Sequence, residues 1–234
     1  MNVFLINLDK DVERLKSADA QLARLGVEYK RVSAVYAKEL PSEEKRKSVN
    51  AFRWWCAVGR PVRDGEIGCA LSHYGIYKAM TSSPVCILED DVILDSRFKE
   101  VLTYVEHQID TTRSQVVLLS NHTKSGVNAD GVSLRCATAD MYTEGYVITP
   151  KAAQALIRAN LPLQCPCDWW GRWVKRGIIE LYHAFPTVCR QDQTQYESGT
   201  VEKGCFRVDD LPVIKFLVHK ASRLVGKTID KVLG

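Results

Sequence analysis

Three acidic residues in a row, Glu89-Asp90-Asp91, directly follow the apolar run Val85-Cys-Ile-Leu88. Like charges crowded against an apolar strand repel one another and are partly desolvated, an arrangement that a cation relieves. On a strand end that stays extended, Glu89 and Asp91 share one face, because side chains alternate. Such a pair half-encloses Mg²⁺ or Mn²⁺, whose remaining positions go to water and phosphate oxygens. Asp90 then faces the other way, toward a ribose or sugar hydroxyl; a solvated acidic turn is the plainer alternative. A second constellation is Asp64-Gly-Glu-Ile-Gly-Cys-Ala-Leu-Ser-His73. Its Gly65 and Gly68 permit close approach by a backbone or ligand. Ser72 and His73 end it, and a helix-packing role for His73 stands beside a binding one.

The elements that must position these residues are legible in outline. Val3-Phe-Leu-Ile6 is a short apolar strand ending at Asn7-Leu8-Asp9. Val12, Leu15, Ala18, Leu22 and Leu25 then keep helical spacing, with Gly26 as a stop. Tyr29 to Val32 follows as a strand, giving the β-loop-α-β opening of a mostly parallel sheet. The spacing predicts a helix over about 66–80, with Asp64 as N-cap and Ile67, Ala70, Leu71, Tyr74 and Tyr77 on one face. Val85–Leu88, Val116–Leu119 and Tyr146–Thr149 are further strands, and Pro150 opens a helix at the position where proline is tolerated. Residues 38–63 are irregular, and their Phe52-Arg-Trp-Trp55 cluster reads as either flap or core. Three strands thus end in polar clusters, at Asn7/Asp9, Glu89–Asp91 and Ser120–His122. Open α/β sheets bind ligands beyond the carboxyl ends of their strands, so that rim is the expected site.

Composition excludes several classes. The chain has 234 residues, 46% of them hydrophobic and 26% charged, which is ordinary globular usage. No run approaches the roughly 18 apolar residues of a membrane-spanning helix. The N-terminus lacks the basic start and apolar length of a signal peptide. Net charge is +4 from 32 basic and 28 acidic residues. Residues 212–234 hold Lys215, Lys220, Arg223, Lys227 and Lys231 against Asp230, which leaves 27 basic and 27 acidic residues elsewhere. A nucleic-acid-binding body would carry its own basic excess, and this one has none. The 8 cysteines form no metal-binding spacing, and without an export signal they read as reduced thiols of a cytoplasmic protein.

Taken in order, Ile6-Asn-Leu8 with Arg14, Gly-Glu-Ile-Gly-Cys-Ala-Leu-Ser-His (65–73), Ile-Leu-Glu-Asp-Asp-Val (87–92) and Gly-Tyr-Val-Ile-Thr (145–149) with Ala152 and Ala153 resemble glycosyltransferase family 25. This family comprises bacterial lipooligosaccharide β-galactosyltransferases and the related collagen galactosyltransferases, and the resemblance covers about residues 2 to 200. It implies a GT-A-like α/β fold, with a mostly parallel Rossmann-type sheet flanked by helices. It also implies a UDP-sugar donor (usually UDP-galactose), a divalent metal, Mn²⁺ or Mg²⁺, and inversion at the anomeric carbon. Asn7, Leu8, Asp9 and Arg14 match the segment beside the nucleotide, and Ser72 and His73 the family's Ser-His pair. Glu89, Asp90 and Asp91 match its acidic motif, with Asp91 as metal ligand ahead of Glu89. Asp168, in Pro166-Cys-Asp-Trp-Trp170, matches the acid that follows the Gly-Tyr block and is the expected general base, with Glu144 as its rival. Trp169 and Trp170 offer faces for an acceptor sugar, or are core. His183 lies where some GT-A folds supply a late metal ligand. Residues 38–63 and 191–198 match least, and acceptor choice is expected there.

Residues 212–234 form a separate segment after a 1–211 transferase domain. Leu217, Val218, Ala221, Leu224, Val225, Ile229 and Val232 share the helical face of Ile214, while the lysines and Arg223 lie opposite; Phe216 falls among the charges. Such a C-terminal amphipathic helix suits an anionic membrane surface, or packs on the domain with its basic face in water. The combined expectation is an inverting, metal-dependent galactosyltransferase building a bacterial lipooligosaccharide, peripheral on the inner face of the cytoplasmic membrane. The alternatives are another donor sugar, a collagen-type acceptor, a metal-dependent hydrolase, or a non-catalytic nucleotide-sugar-binding or membrane-associated scaffold of the same fold.

Overall fold

The structure, a computed structural model, describes residues 1–121 and 131–192. The elements in chain order are β1 (Asn2–Asn7), α1 (Val12–Arg24), β2 (Lys30–Ser33), α2 (Ser42–Ser48), α3 (Ala51–Val58), α4 (Asp64–Ala79), β3 (Val85–Glu89) and β4 (Val92–Leu94). Next come α5 (Phe98–Gln108), β5 (Gln115–Leu118), β6 (Ser133–Ala137), β7 (Gly145–Ile148), α6 (Pro150–Asn160), α7 (Trp170–Lys175), β8 (Glu180–Phe185) and β9 (Cys189–Gln191). His122, the helix expected over 212–234 and the 211/212 boundary lie outside the described residues.

The chain forms two compact units. One comprises Met1–Val35, Leu71–Ala159 and, of the described residues beyond, 168–192; the other comprises Tyr36–Ala70 and Asn160–Cys167. In the first, the described residues build a 7-stranded sheet in the order β2-β1-β3-β7-β5-β8-β6. β2, β1, β3, β5 and β8 run the same way, while β7 and β6 run against them. The sheet is therefore mostly parallel, as expected. Every side chain of β3 from Val85 to Leu88, and all of β5 and β7, is buried. A strand covered on both faces reads as an unbroken apolar run, which is why these strands are visible in the sequence.

Alternation divides the two faces. Val3, Leu5, Cys86, Leu88, Val117 and Val147 join one core cluster with Ala18 and Leu22 of α1 and Phe98, Val101, Leu102 and Val105 of α5. On the other face Tyr146 meets Tyr77 of α4, hydroxyl to hydroxyl at 2.6 Å, and the Trp170 ring edge-on at 5.2 Å. α1 ends as its glycine requires: Gly26 takes φ 62°, and the Val27 N–H reaches back to Leu22 O at 3.0 Å. Gly145 is needed for a different reason. A Cβ there would lie 2.7 Å from Cys189 Sγ and 3.2 Å from Leu88 Cδ2.

The second unit holds the region that the sequence leaves illegible. It is helical: Asn50 caps α3 through Arg53 N–H at 3.0 Å, and Gly59 ends it at φ 83°. The Phe52–Trp55 cluster divides by helical face, Trp54 being 1% exposed and Phe52 63%, so it is core and surface at once. Leu163 bonds through its backbone to both Ser48 and Asn50, at 2.8 and 2.9 Å. α4 starts at Asp64, two residues before the expected start, and Asp64 is not its cap. Glu66 instead accepts the Arg63 N–H at 2.9 Å, and Asp64 sits in the first turn, 3.0 Å from Lys45. Either acid complements the positive helix end. Within this unit Cys69 and Cys167 lie with sulfurs 3.6 Å apart, and the seven cysteines among the described residues are free thiols. No helix of the described residues is long and apolar enough to cross a membrane.

Candidate active site on the carboxyl rim of the sheet

β1, β3 and β5 are mutually parallel, so their polar carboxyl ends lie on one rim. Ile6 pairs with Glu89 in the β1–β3 register; one step further, Asn7 meets Asp90. Asn7 is 1% exposed, and its side-chain amide donates to Asp90 Oδ2 at 2.6 Å and to Asp11 O at 3.0 Å. Its carbonyl oxygen accepts from Arg31 Nε at 3.0 Å. Arg31 continues to Asp9 Oδ1 at 2.5 Å, and Ser33 donates to Asp9 Oδ2 at 2.8 Å. The Arg31 hydrogen bond, with that of Ser33, holds the exposed Asp9 carboxyl below its ordinary value. Leu8 contributes its backbone carbonyl, which accepts the Asp11 N–H at 2.9 Å. Arg14, one turn into α1, lies 3.4 Å from Asp90 Oδ1 and 4.0 Å from Asp91 Oδ2. Asn7, Asp9, Arg14, Asp90 and Asp91, singled out along the sequence, thus form one connected network.

The three acids do not continue an extended strand. β3 stops at Glu89, and Asp90-Asp91 make a turn into β4, so alternation does not govern where Asp91 points. Glu89 turns to His73, whose Nε2 is 3.2 Å from Glu89 Oε1, and to the Thr143 hydroxyl, which donates to the same oxygen. Burial alone would raise the Glu89 carboxyl, but the His73 and Thr143 hydrogen bonds and the Arg14 charge bring it below its ordinary value. Asp90 is raised by burial, against the hydrogen bond from Asn7 and the charge of Arg14. Asp91 is raised to about 6, chiefly by burial and then by repulsion from Glu89, with the Gln191 hydrogen bond pulling the other way. Its Oδ2 accepts from Gln191 Nε2 at 2.8 Å. Its Oδ1 is buried and has no hydrogen-bond partner among the described residues.

An orphaned, buried carboxylate oxygen is a hard donor of the kind a divalent metal takes, although Glu89, Asp90 and Asp91 do not converge as one ligand cluster. Asp91 could thus hold such an ion through Oδ1, with Glu89 as the neighbouring carboxylate. His183, the third expected ligand, is buried on β8 with Nε2 3.1 Å from Asp140 Oδ2. The two atoms are close but not hydrogen-bonded, and His183 Nε2 has no hydrogen-bond partner among the described residues.

His73 is the middle of a buried chain. Its Nδ1 is 2.7 Å from the Tyr146 hydroxyl, which meets Tyr77 in turn. The ring is held between the Glu89 carboxylate at Nε2 and the Tyr146 hydroxyl at Nδ1. His73 is thus an orienting group for Glu89. Ser72 is buried and accepts the Val35 N–H at 2.8 Å, so it fastens the chain after β2 to α4.

Asp168 precedes α7, and its Oδ2 accepts the Tyr142 N–H at 3.2 Å. Trp169 is half-buried and sits at the N-cap of α7. Trp170 is fully buried and its indole N–H donates to Tyr142 O at 2.8 Å; this ring is core, so of the two tryptophans Trp169 alone presents a partly open face. Glu144 is buried at 2% exposure, and its backbone carbonyl accepts the Glu89 N–H at 3.1 Å, placing it next to the acidic turn. Sequence reasoning misses Tyr77, Thr143, Gln191, Arg31 and Asp140. Tyr77 and Tyr146 are visible there only as core aromatics, and nothing local marks the other four.

A mostly parallel sheet carrying a buried acidic turn at its carboxyl rim is an α/β protein of the class whose ligands bind at the strand ends. Residues 1–170 match glycosyltransferase family 25 (LPS biosynthesis protein), and the chain belongs to that family. It is 31% identical over 173 residues to procollagen galactosyltransferase 1-A of Xenopus laevis, covering 68% of this chain and 28% of that protein. It is 30% identical over 171 residues to procollagen galactosyltransferase 2 of Homo sapiens, covering 68% and 27%. A glycosyltransferase 25 family member of Drosophila pseudoobscura pseudoobscura is 29% identical over 210 residues, covering 77% and 33%. The match with each of these relatives spans a third or less of the relative's length.

Proposed function

We propose that the chain is an inverting glycosyltransferase that moves galactose from UDP-galactose to an acceptor sugar of a lipooligosaccharide, with the help of Mn²⁺ or Mg²⁺. The observation that carries this reading is the orphaned Asp91 Oδ1, buried in the acidic turn beside Asn7 and Arg14. The galactosyltransferase names of the relatives support the donor, and the family's description supports the lipopolysaccharide acceptor.

In this reading Asn7, Leu8, Asp9 and Arg14 line the nucleotide side, and Asp90 is held by Asn7 and Arg14 to meet a ribose or sugar hydroxyl. Ser72 and His73 brace that pocket from behind. Asp91 and Glu89 hold the metal, with His183 as the outlying candidate. What such an ion supplies when bound is neutralisation of the departing diphosphate. Asp168, oriented by the Tyr142 N–H, takes the proton from the attacking hydroxyl; Glu144 is the rival base. Trp169, the partly open one of the two tryptophans, belongs to the acceptor side. The basic segment 212–234 attaches the protein to an anionic membrane on its cytoplasmic face, where a lipid-linked acceptor is found.

The test is mass spectrometry of acceptors incubated with the full chain, UDP-galactose or UDP-glucose, and Mn²⁺, Mg²⁺ or EDTA. Galactosylated, deacylated lipooligosaccharide that forms only with metal is the expected product. The relatives' names favour one second reading, a collagen-type acceptor, so a procollagen peptide belongs in the same panel. UDP release without any glycosylated product would indicate a hydrolase, and no UDP binding would leave the scaffold.

A further inference from the structure

The segment between β6 and β7 leads from Ala137, opposite the start of β8, up to Gly145 at the carboxyl rim and is fastened at nearly every residue. Asp140 is buried against His183 and accepts the Met141 N–H at 2.7 Å. Thr143 is buried and donates to Glu89. Gly171 of α7 packs so closely that a Cβ would come within 2.9 Å of Ala139 Cβ. At the centre of this tethered segment sits Tyr142, with φ 77°, the one non-glycine residue of positive φ among the described residues. For a bulky side chain that conformation is strained and persists only where the surroundings impose it. Here they do so from both sides: Asp168 holds the Tyr142 N–H and the buried Trp170 indole holds its carbonyl. Yet the side chain so placed is 42% exposed, next to Met141 at 47%.

We infer that the Tyr142 ring, with Met141 beside it, is the stacking platform for the acceptor pyranose. A glycine or asparagine would fill this backbone position without strain, so the turn alone does not require an aromatic. The ring stands where the backbone is clamped by Asp168, the residue read above as the general base, and so on the side where an acceptor hydroxyl must arrive. The Asn7–Arg14–Asp90 network of β1 and β3 forms the other end of the rim. An aromatic face offers carbohydrate C–H groups a large rigid surface at little conformational cost. The inference rests on the transferase reading.

The experiment titrates methyl β-lactoside into the full chain by saturation-transfer NMR, alongside calorimetric titration of UDP, for the unaltered protein and Tyr142→Gly, Tyr142→Asn and Tyr142→Phe. Glycine and asparagine accept the left-handed backbone, so both variants keep the fold. Deleting the ring should weaken lactoside binding about five- to tenfold, on the scale of one aromatic contact. Tyr142→Phe should stay within about twofold, because the face and not the hydroxyl is used. UDP affinity should be the same in all four. Unchanged lactoside binding in the glycine and asparagine variants overturns the inference. So does parallel loss of UDP affinity, a phenylalanine variant as weak as glycine, or no saturation transfer from the unaltered protein. Sugar binding that depends on Tyr142 in a chain that transfers no galactose would overturn the transferase reading and the acceptor assignment that rests on it, not the ring's contact with the sugar.

Discussion

Replacing Asp91 by asparagine should make the protein more stable while removing its activity. Asp91 is 6% exposed at the side chain, faces Glu89 and Asp90, and has one oxygen without a partner. Its carboxyl is raised from 3.8 to about 6. Folding therefore favours its protonated form. The destabilisation is absent below the unfolded value near 3.8, grows as pH rises through the interval, and is fully present above about 6. At about 1.4 kcal/mol per pH unit the ceiling is roughly 3 kcal/mol. Asparagine keeps the size and still offers Gln191 an acceptor, but forgoes the weak attraction of Arg14 at 4.0 Å. A net gain of about 1–3 kcal/mol at pH 8 is expected, vanishing below pH 4. Urea unfolding of both proteins from pH 4 to pH 8 measures it. Saturating Mn²⁺ should then stabilise the unaltered chain, by about 2.7 kcal/mol at a hundredfold excess over Kd, and leave Asp91→Asn unmoved. A variant less stable than the parent at pH 8, or a gap that ignores pH, would refute the claim that Asp91 is an uncompensated buried charge.

Three further outcomes are expected. Asp168→Asn should leave UDP affinity intact by calorimetry while lowering kcat by about 10² or more, as loss of a general base does; near-normal turnover would hand the role to Glu144. Tyr146→Phe breaks the link between His73 and Tyr77 inside the core. It should cost about 1–3 kcal/mol in urea unfolding, since His73 Nδ1 and the Tyr77 hydroxyl each lose a buried partner; a neutral result would mean that these two groups re-pair with each other. Gly145→Ala drives a Cβ to 2.7 Å from the buried Cys189 sulfur, and should cost about 1–3 kcal/mol by overpacking. Because Cys189 is what it strikes, Gly145→Ala with Cys189→Ala should recover most of that loss, and no recovery would place the strain in the backbone.

The legible parts of this fold are those whose physics is local. β1, β3, β5 and β7 are within a residue of the apolar runs because both faces are covered. α1 ends at its glycine, and α6 opens at its proline. β6 is hidden because Ser133–Ala137 is half-exposed and carries Arg135, leaving no apolar run to find. α5 has helical spacing in Phe98, Val101, Leu102 and Val105, but it carries no chemical motif that would single it out. In the site, residue types are legible and pairings are not. Asn7 meets Asp90 across 83 positions, His73 meets Tyr146 across 73, and Gln191 meets Asp91 across 100. No spacing rule spans such separations; the sheet order does.

In the acidic motif the same difference decides the chemistry. Read along the chain, Glu89, Asp90 and Asp91 are equivalent, and strand alternation is the only means of telling them apart. In the fold each receives a different environment from a different distant element. His73 of α4 and Thr143 hold Glu89 charged. Asn7 and Arg14 anchor Asp90 at the end of β1. Asp91, past the turn, is left with Gln191 on one oxygen and nothing on the other. The pKa directions divide accordingly, Glu89 lowered and Asp91 raised, and neighbouring acids pushed apart in this way are characteristic of sites where each has its own task. A merely solvated acidic turn would not bury Asp91, nor would it keep a histidine and two tyrosines in line behind Glu89. No described residue meets Asp91 Oδ1, so the metal-linked stability of Asp91→Asn asks directly whether an ion does, which loss of activity alone would not answer.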